Sequence, residues 1–119
     1  MALNPELVRG TLETIVLEVV GRRAMYGYEI CKFVEQRTKG ALELREGSLY
    51  PALHKLEKAG LLAARWGESD EGRRRKYYEL TPGGAKELAR RRAEWQAFTG
   101  AVNAIVEGAR VFVGLLPQT

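Results

Sequence analysis

Residues 47–82 read GSLYPALHKLEKAGLLAARWGESDEGRRRKYYELTP, and the order of patterns within them decides the fold. Leu49, Leu53 and Leu56 recur at i, i+4 and i+7, which puts three side chains on one helix face, while Ser48, Pro51, Lys55 and Lys58 fall on the opposite side. Gly60 supplies the left-handed residue that a helix C-terminus favours, so the helix begins near Gly47 or Ser48 and stops there. Leu61 to Trp66 then reads as a strand, and Tyr77 to Thr81 as a second one after a polar turn with glycines at both ends. Arg73, Arg74, Arg75 and Lys76 lead into that second strand. A helix with a polar, cationic outer face, followed by a hairpin whose return arm carries consecutive cations, is suited to a phosphate backbone.

Working outward, Asn4 and Pro5 have the form of an N-cap and first-turn pair, and Leu12, Ile15, Val16, Val19 and Val20 make a helical stripe that ends at Gly21. A second helix is expected from about Tyr28 to Thr38, with Ile30, Phe33, Val34 and Arg37 on one face and Lys39-Gly40 as its stop. The short connection from Ala41 to Glu46 makes helices two and three a helix-turn-helix pair. Pro51 is expected in the first turn of helix three, where N–H groups lack intrahelical partners anyway. The expected fold is mainly α with a small β-hairpin: a winged helix-turn-helix over residues 1–81, then a long C-terminal dimerisation helix and tail over 82–119.

That last helix has its own signature. From Trp95, alternating steps of three and four reach Phe98, Val102, Ile105, Ala109, Phe112 and Leu116, an apolar seam of the a/d kind whose register runs back through Arg91 to Leu88. A helix from Pro82 to about Ala109 would be roughly 40 Å long at 1.5 Å per residue, more than so small a domain covers. Its far half needs apolar company, either from a second copy or by folding back on its own core. Leu88, Trp95, Phe98, Val102 and Ile105 are the expected dimer-interface residues. Gly100, Gly108 and Gly114 weaken the tail.

Gross composition agrees. The chain has 119 residues and a formal net charge of +4, which suits one domain and a polyanionic partner. A single cysteine, Cys31, precludes an internal disulfide framework. The start, MALNPELVRG, lacks a signal-peptide core, and no apolar run reaches the roughly 18 residues of a membrane span, so a cytoplasmic protein with no membrane partner is expected. One histidine, one cysteine, no metal-ligand spacing and no phosphate-cradling glycine loop leave no catalytic site in view, and no cofactor is implied.

The segments YGYEI (Tyr26 to Ile30), GSLYPALHKLEKAGLL (Gly47 to Leu62) and GRRRKYYELTPGG (Gly72 to Gly84) resemble the PadR family of bacterial transcriptional regulators, over about residues 6 to 95. GSLYPAL is the most specific string. The resemblance implies a dimeric DNA-binding repressor of the small subfamily with a single C-terminal helix, whose third helix enters the major groove and whose wing reaches the adjacent backbone or minor groove. The expected DNA-binding residues are Ser48, Tyr50, Pro51, His54 and Lys55 on the helix, and Arg73, Arg74, Arg75 and Lys76 on the wing. Strand alternation divides these four cations between two faces, so some contact DNA and others are solvated or pair with Glu68, Asp70 or Glu71.

Of Tyr26 and Tyr28, one is core and the other is available to a phosphate; their spacing does not say which. Trp66 is expected in the core and Cys31 as a buried, inert thiol. Trp95, with Phe98, either forms interface core or lines a pocket for a small aromatic effector between two copies. Two function classes follow: a homodimeric regulator of double-stranded DNA on an inverted-repeat operator, or a winged-helix module that binds another protein.

Overall fold

The computed structural model describes residues 10–107. Asn4, Pro5, Ala109, Phe112 and Leu116, and Gly108 and Gly114, lie outside those residues. Four helices and one hairpin follow in the order α1 (Leu12–Val20), α2 (Gly27–Arg37), α3 (Glu46–Lys58), β1 (Leu62–Glu68), β2 (Arg74–Leu80) and α4 (Pro82–Val106). The chain divides into two compact units between Leu88 and Ala89.

In the first unit, α1 turns its stripe inward, so that Val16, Leu17, Val19 and Val20 are buried. They meet Ile30 and Val34 of α2 and Leu49, Leu53 and Leu56 of α3, with Met25, Leu62, Tyr78 and Leu88 completing the cluster. The expected leucine face of α3 is thus the core face. Helix α2 stops as its sequence suggests: Lys39 and Gly40 take φ of 52° and 82°, and the Gly40 N–H donates to the Glu35 carbonyl at 2.8 Å. Gly60, at φ 79°, does the same after α3.

Helix α3 starts earlier than expected, which changes the reading of Pro51. Glu46 is the first helical residue, so Pro51 is the sixth, beyond the first turn. Its missing N–H therefore leaves the Gly47 carbonyl without its i+4 donor, on the exposed side of the helix where water can serve it.

The strands also differ in extent. β1 runs to Glu68 and β2 begins at Arg74, so three of the four consecutive cations belong to the strand rather than to the loop. They pair antiparallel from Leu62↔Leu80 to Glu68↔Arg74, and Met25 bridges to Tyr78 on the other edge of β2. The Ser69–Arg73 turn closes through Ser69 N–H to Arg73 O at 2.8 Å and Gly72 N–H to Ser69 O at 2.9 Å, with Gly72 at φ 78°.

Cross-strand partners share a face. Leu62, Leu80, Ala64, Tyr78, Trp66 and Lys76 lie on the core side, but the core stops at Ala64 and Tyr78. Trp66 is therefore 59% exposed, contrary to its expected place in the core.

Helix α4 enters the first unit through a close fit. The Thr81 hydroxyl donates to the Gly60 carbonyl at 2.7 Å and accepts the Gly84 N–H at 2.9 Å. Gly84 is buried against the Leu61 carbonyl, with no room for a Cβ. Leu88, expected at a dimer interface, instead has 7% exposure within the core of its own chain. In the second unit, Trp95, Phe98, Val102, Ile105 and Val106 are all exposed. No helix among the described residues is long and apolar enough to cross a membrane.

Candidate nucleic-acid interface

Ser48, Tyr50, Pro51, His54 and Lys55 all lie on the exposed side of α3. Tyr50 is only partly solvated. Its ring rests on Gly27, the first residue of α2: a Cβ there would come within 2.5 Å of the Tyr50 hydroxyl and 2.8 Å of its Cζ. The glycine of YGYEI thus makes room for the tyrosine of SLYP. Burial, and then the Glu46 carboxylate, hold the Tyr50 hydroxyl above its ordinary pKa, so at neutral pH it is a neutral phenol that can donate a hydrogen bond.

Lys55 is less independent than its position on the helix suggested. Its ammonium forms an ion pair with Glu13 of α1 at 2.9 Å while the side chain remains 73% exposed. An exposed pair contributes little to stability, but it sets where the cation rests.

The wing cations separate into four environments. Arg73 is exposed in the turn, its backbone N–H donating to the Ser69 hydroxyl at 3.3 Å. Arg74 is exposed and stacks over Trp66 at 5.1 Å. Arg75 is half-buried over the Tyr26 ring at 5.1 Å, and its Nε is buried without a hydrogen-bond partner. Lys76 is half-buried and donates to Glu57 of α3 at 3.4 Å. Burial lowers the Lys76 pKa, but the Tyr78 hydroxyl and the Glu57 carboxylate outweigh it and leave the net shift upward. Of these four, Arg73 and Arg74 are presented to solvent, whereas Arg75 and Lys76 tie the hairpin to Tyr26 and α3; Arg65 on β1 is exposed too, beside Glu79 at 3.9 Å.

The tyrosines flanking Gly27 are now distinguished. Tyr26 is buried, edge-on to Tyr77 with centroids 5.4 Å apart, and its pKa is raised by burial first and then by Glu71 and Glu29. Tyr28 is 53% exposed, with Lys32 5.7 Å from its ring centroid. Cys31 is partly buried, and its thiol is pushed upward by burial and by Glu46 and Glu35, which disfavours the reactive thiolate. Sequence reasoning missed Trp66 as a surface residue. It stands between Arg65 and Gly67 near the far end of β1, where the hairpin outruns its core.

In the second unit, Trp95 and Phe98 lie side by side with centroids 6.4 Å apart, at 45% and 61% exposure. Arg90 pairs with Glu94 at 3.1 Å along the helix.

The polar α3 face, the cationic hairpin and the long last helix have close counterparts. A transcriptional regulator from Clostridium thermocellum is 34% identical and superposes with a TM-score of 0.77, covering 85% of this chain and 98% of its own. A PadR family transcriptional regulator from Eggerthella lenta is 33% identical, with a TM-score of 0.73 and coverage of 86% and 87%. The transcriptional regulator YqjI of Escherichia coli is 30% identical over 84% of this chain, which spans only 46% of that relative. These relatives are transcriptional regulators rather than enzymes. The family model described as "Transcriptional regulator PadR-like family" matches residues 16–90, and the chain belongs to that family.

Proposed function

We propose that the protein is a sequence-specific DNA-binding repressor that works as a homodimer. Ser48, Tyr50, Pro51, His54 and Lys55 meet the major groove, while Arg73 and Arg74 hold the neighbouring backbone. Trp95, Phe98, Val102 and Ile105 join two copies. What carries the reading is the presentation of Arg73 and Arg74 to solvent at the end of a hairpin that Lys76 and Glu57 tie to α3. A dimer reads two half-sites about 34 Å apart, so the operator is an inverted repeat.

The test is a binding titration across salt concentrations with the wild type and Arg73→Ala/Arg74→Ala. Each lost phosphate contact is expected to flatten the log–log salt slope by about 0.9, and affinity to fall for all sequences alike. An unchanged slope removes the hairpin from the interface.

Release of the repressor is assigned to a planar aromatic compound held by Trp95 and Phe98, both exposed and already paired. It would act by favouring a dimer geometry that no longer fits the half-site spacing. A panel of phenolic and aromatic compounds should change Trp95 emission and lower operator affinity; a panel without effect on either removes the effector.

A further inference from the structure

Trp66 is the largest apolar side chain that the first unit leaves in solvent, at 59% exposure. Its neighbours give that exposure a direction. Trp66 shares its hairpin face with Lys76 and Arg74. Lys76 of that face reaches Glu57 of α3 at 3.4 Å, so the face looks toward the helix that carries His54, Lys55 and Lys58 on its exposed side. The Arg74 guanidinium stacks on the indole at 5.1 Å. Trp66, Gly67, Glu68, Gly72 and Arg74 bound a shallow, open cavity.

We propose that Trp66 and Arg74 form one DNA-contacting unit, in which the stacked guanidinium takes a backbone phosphate and the indole covers the adjoining deoxyribose of the duplex. This rests on the DNA-binding reading above and adds a residue to it. A free arginine loses much side-chain freedom when it binds. An arginine already stacked on an aromatic face loses less, and its planar fork still matches a phosphate. The indole lies directly beside the cation, and a DNA strand likewise alternates charged phosphate with apolar sugar. Geometry rather than net charge favours this occupant: Arg73 and Arg74 are exposed at the end of the hairpin beside the exposed carboxylates of Glu68, Asp70 and Glu71, and it is Arg74, held over the indole, that sets a cation next to an apolar surface. Asp70 and Glu71 lie in the turn itself. Lys76, already neutralised by Glu57, supports the hairpin and is not a contact.

The experiment uses the full chain labelled with 5-fluorotryptophan, which gives separate fluorine resonances for Trp66 and Trp95. The Trp66 signal is assigned by its absence in Trp66→Phe. Titration with a short mixed-sequence duplex should move the Trp66 resonance over the concentration range in which a mobility shift appears. Trp66→Ala should weaken duplex binding about five-fold, Arg74→Ala by a similar factor, and the double variant by less than the product, since the pair acts as a unit. Trp66→Phe should retain part of the affinity because a phenyl ring still supports the guanidinium.

Duplex binding with a static Trp66 resonance and an unaffected Trp66→Ala variant overturns this assignment and leaves the DNA-binding reading standing. A resonance that moves only with single-stranded DNA overturns the duplex-backbone contact in favour of base stacking. Failure of the wild type to bind duplex at any salt concentration overturns the DNA-binding reading and this proposal with it.

Discussion

Phe98→Glu is expected to turn the protein into a monomer that no longer retains its operator. Phe98 is 61% exposed, between Trp95 at 45% and Val102 at 36%, and Ile105 and Val106 follow at 78% and 74%. This is a larger run of uncovered apolar side chains than a soluble surface ordinarily carries, and its spacing is that of a helix seam. A glutamate in its middle would place an unpaired carboxylate in the interface from each copy. Burying such a charge costs several kcal/mol, so the dimer should weaken by about a thousandfold or more. Sedimentation should show one protomer where the proposed wild-type dimer gives two, while the near-ultraviolet signal of the tyrosine cluster in the first unit is unchanged. A variant that still sediments as the wild-type dimer would place the interface elsewhere.

The second large effect is expected from a substitution that ordinarily helps a helix. Gly84 is the third residue of α4, and replacing an exposed helical glycine with alanine stabilises by about 1 kcal/mol. Here the new methyl would overlap the Leu61 carbonyl oxygen and come within 2.8 Å of Leu80 Cδ1 and 3.0 Å of the Leu61 carbonyl carbon. The carbonyl belongs to the segment that the Thr81 hydroxyl holds through Gly60, so it has little room to retreat. Overpacking costs about 1–3 kcal/mol, and against a backbone carbonyl the upper end applies, so about 2 kcal/mol remains after the propensity gain and Gly84→Ala should lower Tm by roughly 6–12 °C. Gly83→Ala is the control: its methyl would meet nothing closer than 3.8 Å, and Tm should hold or rise. Equal behaviour of the two variants in a thermal scan would mean that the close fit at Gly84 does not govern stability.

Much of the architecture was legible because helix and strand periodicities are short-range. Leu49, Leu53 and Leu56 needed only their spacing to be placed in the core, and Lys39-Gly40 and Gly60 needed only their backbone preferences to end helices. What periodicity assigns is the side of an element, not how far along that side the core extends. Trp66 was misplaced for that reason: it lies on the core-side face of its strand, beyond the last residue that the helices cover. Leu88 fails in the opposite sense. It keeps the register of the apolar seam, but the first turns of α4 belong to the core, and a core stripe and an interface stripe share one spacing.

The candidate site was legible in composition and less so in geometry. GSLYPAL and the basic run identified the surface, yet nothing local says that Lys55 meets Glu13 or that Lys76 meets Glu57, partners separated by 42 and 19 positions. The same holds for the seat that Gly27 makes for Tyr50. These contacts sort the cations into those that present charge and those that hold elements together, and only the folded chain reveals the division.

In the proposed function, α3 and the hairpin read DNA as two symmetric copies. The experiment is to select the fragments of the host genome that the purified wild-type protein retains and to footprint the enriched sequence. The enriched sequence should be an inverted repeat whose two protected half-sites are centred about one helical turn apart. Enrichment of no fragment above a control without protein would contradict the proposed function.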